Sequence, residues 1–259
     1  MSDFYDTLGL SAQETINNGY YSNSSKTVPS MHLSLKKAIL KCHNCSIITE
    51  IKFASPTFKS IHENSSLTDI AKSMETGGAT AISVLTEPKY FKGSINFLST
   101  VRQTVKLPLL MKDIILSQTQ ISTAVNIGAD AVLLIKALYD RGYSEFALDD
   151  MIERVHAKGL EVLLEVHTDK EFEAAKKTNA DIIGINNRNL ADLKIDLNTT
   201  KKLIQANSFD DLVVVSESGI YTTADIRFLR QMGVSAFLIG SSIMLTVNIE
   251  EKVREFVNA

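Results

Sequence analysis

Tryptophan is absent from this 259-residue chain, and proline (4), histidine (5) and cysteine (2) are scarce. Two cysteines cannot form the disulfide framework of a small secreted domain. Charge of one sign is also missing: 27 basic against 30 acidic residues give a net charge of -3, so there is no basic field for a nucleic-acid backbone. No apolar run approaches the ~18 residues that span a bilayer. Met1 to Leu10 carries Asp3 and Asp6 and lacks the basic-then-apolar order of a signal peptide. No Gly-x-Gly-x-x-Gly or P-loop spacing appears, which argues against a nucleotide cofactor. These absences predict a soluble, cytoplasmic protein without nucleic-acid or membrane partners. Its 44% hydrophobic and 22% charged residues supply ample material for a buried core.

The two cysteines stand together as Cys42-His43-Asn44-Cys45, a spacing that suits zinc or a redox pair. A structural zinc site needs four ligands, and no second Cys/His pair follows at a suitable distance. The motif also follows a helical run rather than opening one. Two ordinary reduced thiols are the simpler reading, and no metal is expected.

The first 45 residues differ from the rest. Asn17 to Thr27 is rich in Asn, Ser and Tyr and reads as loop or weak helix. Leu33 to Leu40 is an amphipathic helix leading into the first strand. From Ile47 onward short apolar runs alternate with longer amphipathic ones. Strands are predicted at Ile47–Lys52, Ala79–Leu85, Leu107–Lys112, Ala131–Ile135, Glu161–Val166, Ile182–Ile185, Leu212–Ser216 and Ala236–Ile239. Helices are predicted at Leu67–Thr76, Gln118–Ile127, Asp149–Lys158, Asp169–Thr178, Thr199–Ala206, Thr222–Gln231 and Ile249–Val257. Eight such units predict an α/β fold, a (β/α)8 TIM barrel over residues 46–259, with residues 1–45 as an N-terminal helical extension of the same single domain, 1–259. An open doubly wound sheet is the competing arrangement, since periodicity does not report closure.

Polar groups recur at the ends of these strands. In Glu50-Ile51-Lys52 the period of two puts a carboxylate and an ammonium on one face, and burying them has a desolvation cost that asks for a reason. Later strands end in Lys112, Glu165, Asn186 and Ser218, the pattern of an active site at the C-terminal face of a barrel. A desolvated lysine near another cation can titrate near neutrality and donate a proton to a carbonyl. The structural alternative is an ion pair, Glu50 with Lys112 or Lys52 with Glu165. Glu165 is the candidate general acid or base, and His167 either shares its face by strand alternation or lies just past the strand in the loop. After the sixth strand, Asn186-Asn187-Arg188-Asn189 offers amide and guanidinium donors or forms a polar turn. Phe91 could wall a pocket for a planar substrate. After the last two strands, Ser216-Glu217-Ser218-Gly219-Ile220 and Ile239-Gly240-Ser241-Ser242 combine glycine, hydroxyls and a helix start, which suit a phosphate. Turns and caps favour the same residues.

Taken together, Glu50-Ile51-Lys52-x-x-Ser55-Pro56, Ser83-Val84-Leu85-Thr86 with Lys89-Tyr90-Phe91, Leu110-Met111-Lys112-Asp113, Gly128-Ala129-Asp130, Leu164-Glu165-Val166-His167, Gly184-Ile185-Asn186-Asn187-Arg188, Ser216-Glu217-Ser218-Gly219-Ile220 and Gly240-Ser241-Ser242 resemble the indole-3-glycerol phosphate synthase family. The resemblance runs from about Ile47 to Met244. It implies closure of the indole pyrrole ring from carboxyphenylamino-deoxyribulose phosphate, with loss of carbon dioxide and water and with neither metal nor cofactor. It implies Lys112 as general acid and Lys52 as the holder of the substrate carboxylate. Glu50 orients the lysines and shares in proton transfer, and Glu165 and Asn186 serve the dehydration with Ser218 nearby. Ser55, Gly219, Gly240 and Ser241 bind phosphate, Phe91 lines the aromatic pocket, and Arg188 supports the site electrostatically. The partner is thus a phosphorylated small molecule, with the chain itself a monomer or a dimer. Three features depart from the pattern: Thr57-Phe58 in the first loop, Ile114 where the family commonly has Phe, and an N-terminal segment without the Pro-Ser-Phe stretch expected before the first strand. They leave room for a phosphate-binding barrel that no longer catalyses. A related phosphate-sugar isomerase would want a Cys/Asp pair at strand ends, and both cysteines here precede the first strand.

Overall fold

The computed structural model describes residues 3–23, 33–55, 58–59, 65–207, 209 and 211–259, with backbone alone for 23, 55, 58 and 59. Eight parallel strands close on themselves: β1 (Ile47–Ile51), β2 (Ala81–Leu85), β3 (Leu109–Lys112), β4 (Ala131–Ile135), β5 (Glu161–Val166), β6 (Ile182–Asn186), β7 (Val214–Glu217) and β8 (Ala236–Ile239), with β1 paired to both β2 and β8. Closure excludes the open doubly wound sheet. The apolar runs are unbroken because both strand faces are buried. Ile48, Leu110, Leu133, Leu163, Val215 and Leu238 pack inside the barrel, while Ile47, Met111, Val132, Leu164 and Val214 meet the helices.

Strands β2, β3 and β7 begin two residues later than the hydrophobic pattern suggests. The N–H of Ala79 is spent on the Met74 carbonyl at 3.1 Å, closing the preceding helix through Gly78 at φ +96° in the manner of a Schellman cap. Pro108 has no N–H to give the sheet. At the other end, β6 and β7 each run one residue further than predicted, to Asn186 and Glu217, and this extension matters below.

Of the extension, Leu35–Lys41 closes the N-terminal end of the barrel. Ser34 Oγ and the Lys36 N–H donate to Glu161, and the Leu33 N–H donates to Asp130 at 2.9 Å. A 14-residue helix, Phe4–Asn17, capped by Asp3 and Asp6, lies over the opposite end. It is fastened there by Arg141 to Asp3 and Asp6 at 2.7 Å each, by Lys89 to Glu14 at 2.7 Å, and by Phe4 edge-on to Tyr90. The stretch expected as loop or weak helix contains a 3-10 turn, Tyr20–Asn23; its part from 24 to 27 lies outside the described residues. A helix that periodicity did not single out, Ile95–Thr104, joins β2 to β3.

Candidate active site

Each strand's last inward-facing residue projects into one cavity at the C-terminal end of the barrel. The cavity holds about 990 Å³, its open mouth included, and Glu50, Lys52, Phe91, Lys112, Glu165, Asn186, Arg188, Ser218, Gly219, Gly240 and Ser241 all line it. Ser55 stands in a short hairpin beyond β1, Ala54–Ser55 paired with Phe58–Lys59; its side chain, like Pro56 and Thr57, lies outside the described residues.

Two charge groups organise the floor. Lys52 Nζ pairs with Glu50 Oε1 at 3.0 Å, and Lys112 Nζ lies 3.4 Å from both Glu165 Oε2 and Glu217 Oε2. The pairing thus differs from the Glu50–Lys112 and Lys52–Glu165 pairs considered from sequence. Glu165 also accepts from Asn186 Nδ2 at 3.0 Å, and His167, in the loop beyond β5, meets the Asn186 carbonyl through Nδ1 at 2.8 Å. Burial would lower the Lys112 ammonium's proton affinity, but Glu217, Glu165 and Glu50 outweigh it and push its pKa up. The expectation of a lysine near neutrality is therefore corrected: three carboxylates, not a second cation, surround it, and it rests protonated. Burial would also raise Glu50, yet Lys52 and Lys112 bring it below its ordinary range.

Glu217 is the floor residue that sequence reading missed. Ending the seventh strand at Ser216 placed it in the phosphate turn. In the structure it is the inward-facing end of β7, 1% exposed, with Oε1 lacking any hydrogen bond among the described residues. Burial pushes its pKa up to about 8, with Lys112 opposing and Glu165 adding to the rise. The period-two set Val213, Val215, Glu217 was the available signal. Two glycines make space for these carboxylates. A Cβ on Gly184 would stand 2.2 Å from Glu217 Oε1, and one on Gly240 would stand 2.6 Å from Glu50 Oε1.

Above the floor, one wall is apolar: Phe91, Ile114, Leu133, Ile135, Leu190 and Leu193, joined by Phe4 and Leu8 from the N-terminal helix. The helix therefore furnishes wall that Ile114 in place of an aromatic residue does not. Glu87, buried, accepts from the N–H groups of Lys89, Tyr90 and Phe91 at 2.7–2.9 Å and so shapes the loop carrying Phe91. Facing this wall are the turns after β7 and β8. Ser218 and Gly219 adopt φ of +69° and +79° in succession, a costly backbone for a serine. The Ser218 carbonyl is held by Asn187 Nδ2 at 3.1 Å. Ser242 Oγ donates to the Ile220 carbonyl at 2.9 Å and ties the two turns together, so that the first N–H groups of helix Ser241–Met244 share one concavity with them.

Asn186-Asn187-Arg188 splits by strand alternation. Asn186 faces the cavity. Asn187, fully buried, bonds Ser216, Ser218 and Thr200 and is a loop fastener. Arg188 reaches the cavity with its guanidinium on the Leu193 carbonyl at 3.2 Å. Cys42 and Cys45 are free thiols at the far end of the barrel. Among the described residues no helix is long and apolar enough to cross a membrane.

A family model described as indole-3-glycerol phosphate synthase matches residues 11–256. The indole-3-glycerol phosphate synthase of Methanocaldococcus jannaschii is 46% identical over 232 residues, covering 87% of this chain and 83% of that one. The protein of the same description from Caldanaerobacter subterraneus subsp. tengcongensis is 44% identical over 212 residues, covering 82% and 80%. Among solved structures, a thiamine phosphate pyrophosphorylase from Pyrococcus furiosus superposes with a TM-score of 0.59 at 17% identity, covering 86% and 96%. An N-acetylmannosamine-6-phosphate 2-epimerase from Clostridium perfringens does so with 0.61 at 14%, covering 83% and 93%. At such identities those two speak for the barrel alone. The family match along nearly the whole length, and relatives above two-fifths identical, carry the conclusion: the chain belongs to the indole-3-glycerol phosphate synthase family.

Proposed function

We propose that this chain converts carboxyphenylamino-deoxyribulose phosphate to indole-3-glycerol phosphate, as a carboxy-lyase of tryptophan biosynthesis, and that the cavity residues divide the work as follows. The observation that carries this is Lys112 Nζ, 3.4 Å from both Glu165 and Glu217, between an apolar wall and the paired Ser/Gly turns. The turns, with Ser55 from the first loop, seat the phosphate through N–H groups and hydroxyls. The anthranilate ring lies against Phe91, Ile114 and Leu8. Lys52, counterbalanced by Glu50, holds the carboxylate.

Anchoring both ends keeps the aryl carbon against the ketone. Lys112 gives its proton to the ketone oxygen as the aryl carbon attacks, so a C–C bond forms and a hydroxyl appears. The same step leaves an iminium on the ring, and the C–CO2 bond breaks with its electron pair flowing into that iminium. Glu165, a carboxylate positioned by Asn186, takes the proton from the neighbouring carbon and passes it to the departing hydroxyl, so the C–O bond breaks, water leaves and the pyrrole is complete. Glu217, 3.4 Å from Lys112 Nζ, is the group that relays a proton back to Lys112 after the first step. Arg188 adds positive charge at the rim. The setting we propose is cytoplasmic, consistent with two free thiols.

The test is direct because the chain contains no Trp. Purified protein mixed with the carboxyphenylamino substrate should develop indole emission over a tyrosine background alone. Tight substrate binding without emission would favour a barrel that binds phosphate and does not catalyse, and no binding at all would sink the assignment.

A further inference from the structure

Directly after Lys112 stands a carboxylate with no place in the reaction above. Asp113 is 2% exposed and, by strand alternation, turns from the cavity floor toward the helices. No cation pairs with it among the described residues. Its compensation is three hydrogen bonds: from Tyr21 OH at 2.9 Å, from Thr86 Oγ1 at 2.5 Å and from the Ile114 N–H at 2.8 Å. Thr86 also gives its backbone N–H to the Lys112 carbonyl at 3.1 Å, so one residue grips both Lys112 and Asp113. Tyr21 is equally fixed: its carbonyl accepts from Thr123 Oγ1 at 2.7 Å, and its ring meets Tyr20 edge-on at 4.9 Å. Tyr20 OH in turn donates to the Thr86 carbonyl at 3.3 Å and accepts from the Ile95 N–H at 3.1 Å.

The position is otherwise one for an apolar side chain, as its neighbours Met111 and Ile115 are. An unpaired buried carboxylate is costly there, and burial, with Glu87 adding to it, holds the Asp113 pKa up at about 6. What the carboxylate supplies instead is direction, since its two oxygens take donors from three separate segments at fixed angles.

We propose that Asp113 is a positioning residue for the catalytic lysine: through Tyr21 of the N-terminal extension and Thr86 after β2, it fixes the Lys112–Ile114 backbone and thereby the distance of the Lys112 ammonium from Glu165 and Glu217. This rests on the function proposed above. Lys112 is faced by Glu217, Glu165 and Glu50, and these hold its proton. If the backbone loosens, the ammonium moves off its carboxylates and its pKa falls.

Three variants test this. Tyr21→Phe removes one donor and keeps the ring, Asp113→Ala removes the acceptor, and Asp113→Asn keeps an acceptor oxygen for Tyr21 and Ile114. Expected for the first two are KM near the parental value, kcat reduced by ~3-fold and ~10-fold or more, and an alkaline limb of the kcat profile at lower pH. These losses are part of the ~10²-fold that a 1 Å misplacement costs. Asp113→Asn should recover most of the rate. A second readout needs no turnover: acylation of Lys112 as a function of pH, read by peptide mass spectrometry with Lys52 as reference, should shift to lower pH in Tyr21→Phe and Asp113→Ala. A parent that makes no indole product while the acylation shift appears would cost the function and keep the positioning. Parental kcat, pH limb and acylation in Tyr21→Phe, with Asp113→Ala either equal to the parent per folded molecule or failing to fold, would overturn the proposal.

Discussion

At the residue scale, the site is a problem in placing charge where water is excluded. Lys112 has two carboxylates at 3.4 Å and is pushed toward a permanent charge. The acid we propose is therefore a cationic one rather than a lysine tuned to neutrality. Replacing it should show that role. We expect Lys112→Ala to lower kcat by ~10²–10⁴, the scale of a general acid, as followed by indole emission; near-parental turnover would remove Lys112 from the chemistry. Glu165 and Glu217 also share its charge, so the variant leaves two buried carboxylates facing each other. Some loss of stability should accompany the loss of rate, and the two are separated by measuring kcat per folded molecule. The glycines at 184 and 240 belong to the same account, because any Cβ there would occupy the space of a carboxylate oxygen.

At the scale of elements, β1, β3, β5, β6 and β7 each contribute a polar group to the cavity, and the loops that follow the strands build its walls. The turn after β7 is bent by two successive residues at positive φ, Ser218 and Gly219. The short helix after β8 is joined to it by the Ser242 hydroxyl. This is why the two segments form a single concavity. A carboxylate introduced there would oppose the substrate's phosphate. Ser241→Asp is expected to raise KM by ~10-fold or more, each ~1.4 kcal/mol of lost binding being a factor of ten, with kcat much less affected. An unchanged KM would place the phosphate elsewhere. The first helix acts at this scale too. Gly9 lies so close to Tyr143 that a Cβ would stand 2.6 Å from the ring. That close approach lets Phe4 and Leu8 reach the cavity.

At the scale of the molecule, the buried acids set a pH dependence of stability. Folding raises Asp113 from 3.8 to about 6 and Glu217 from 4.5 to about 8. A raised acid binds its proton more tightly in the folded state, so its stabilisation is present at low pH and is lost as pH rises through the folded value. Glu50, lowered by Lys52 and Lys112, acts oppositely and loses stabilisation as pH falls. We expect Tm to decline from about pH 4 to about pH 8 as Asp113 and then Glu217 ionise, and Glu217→Gln to flatten the part between about pH 6 and pH 8; parallel Tm curves for parent and variant would refute the assignment to Glu217. The alternation of eight apolar runs with amphipathic helices, the polar residue at most strand ends and the Ser/Gly turns are local properties of the chain, so period-two and 3.6-residue patterning revealed them before any coordinates. The sequence by itself determined the barrel's eight strands and eleven of the residues that line its cavity. Which carboxylate faces which lysine was not a local property. It depends on register across the closed sheet, as in the pairing of Asn186 with Glu217, and on a single extra residue of β7 that turned Glu217 inward. The roof of Phe4 and Leu8 and the Tyr21–Asp113 fastening join residues about ninety apart. Only closure of the barrel brings such partners together, because side-chain contacts of that separation leave no period in the sequence to read.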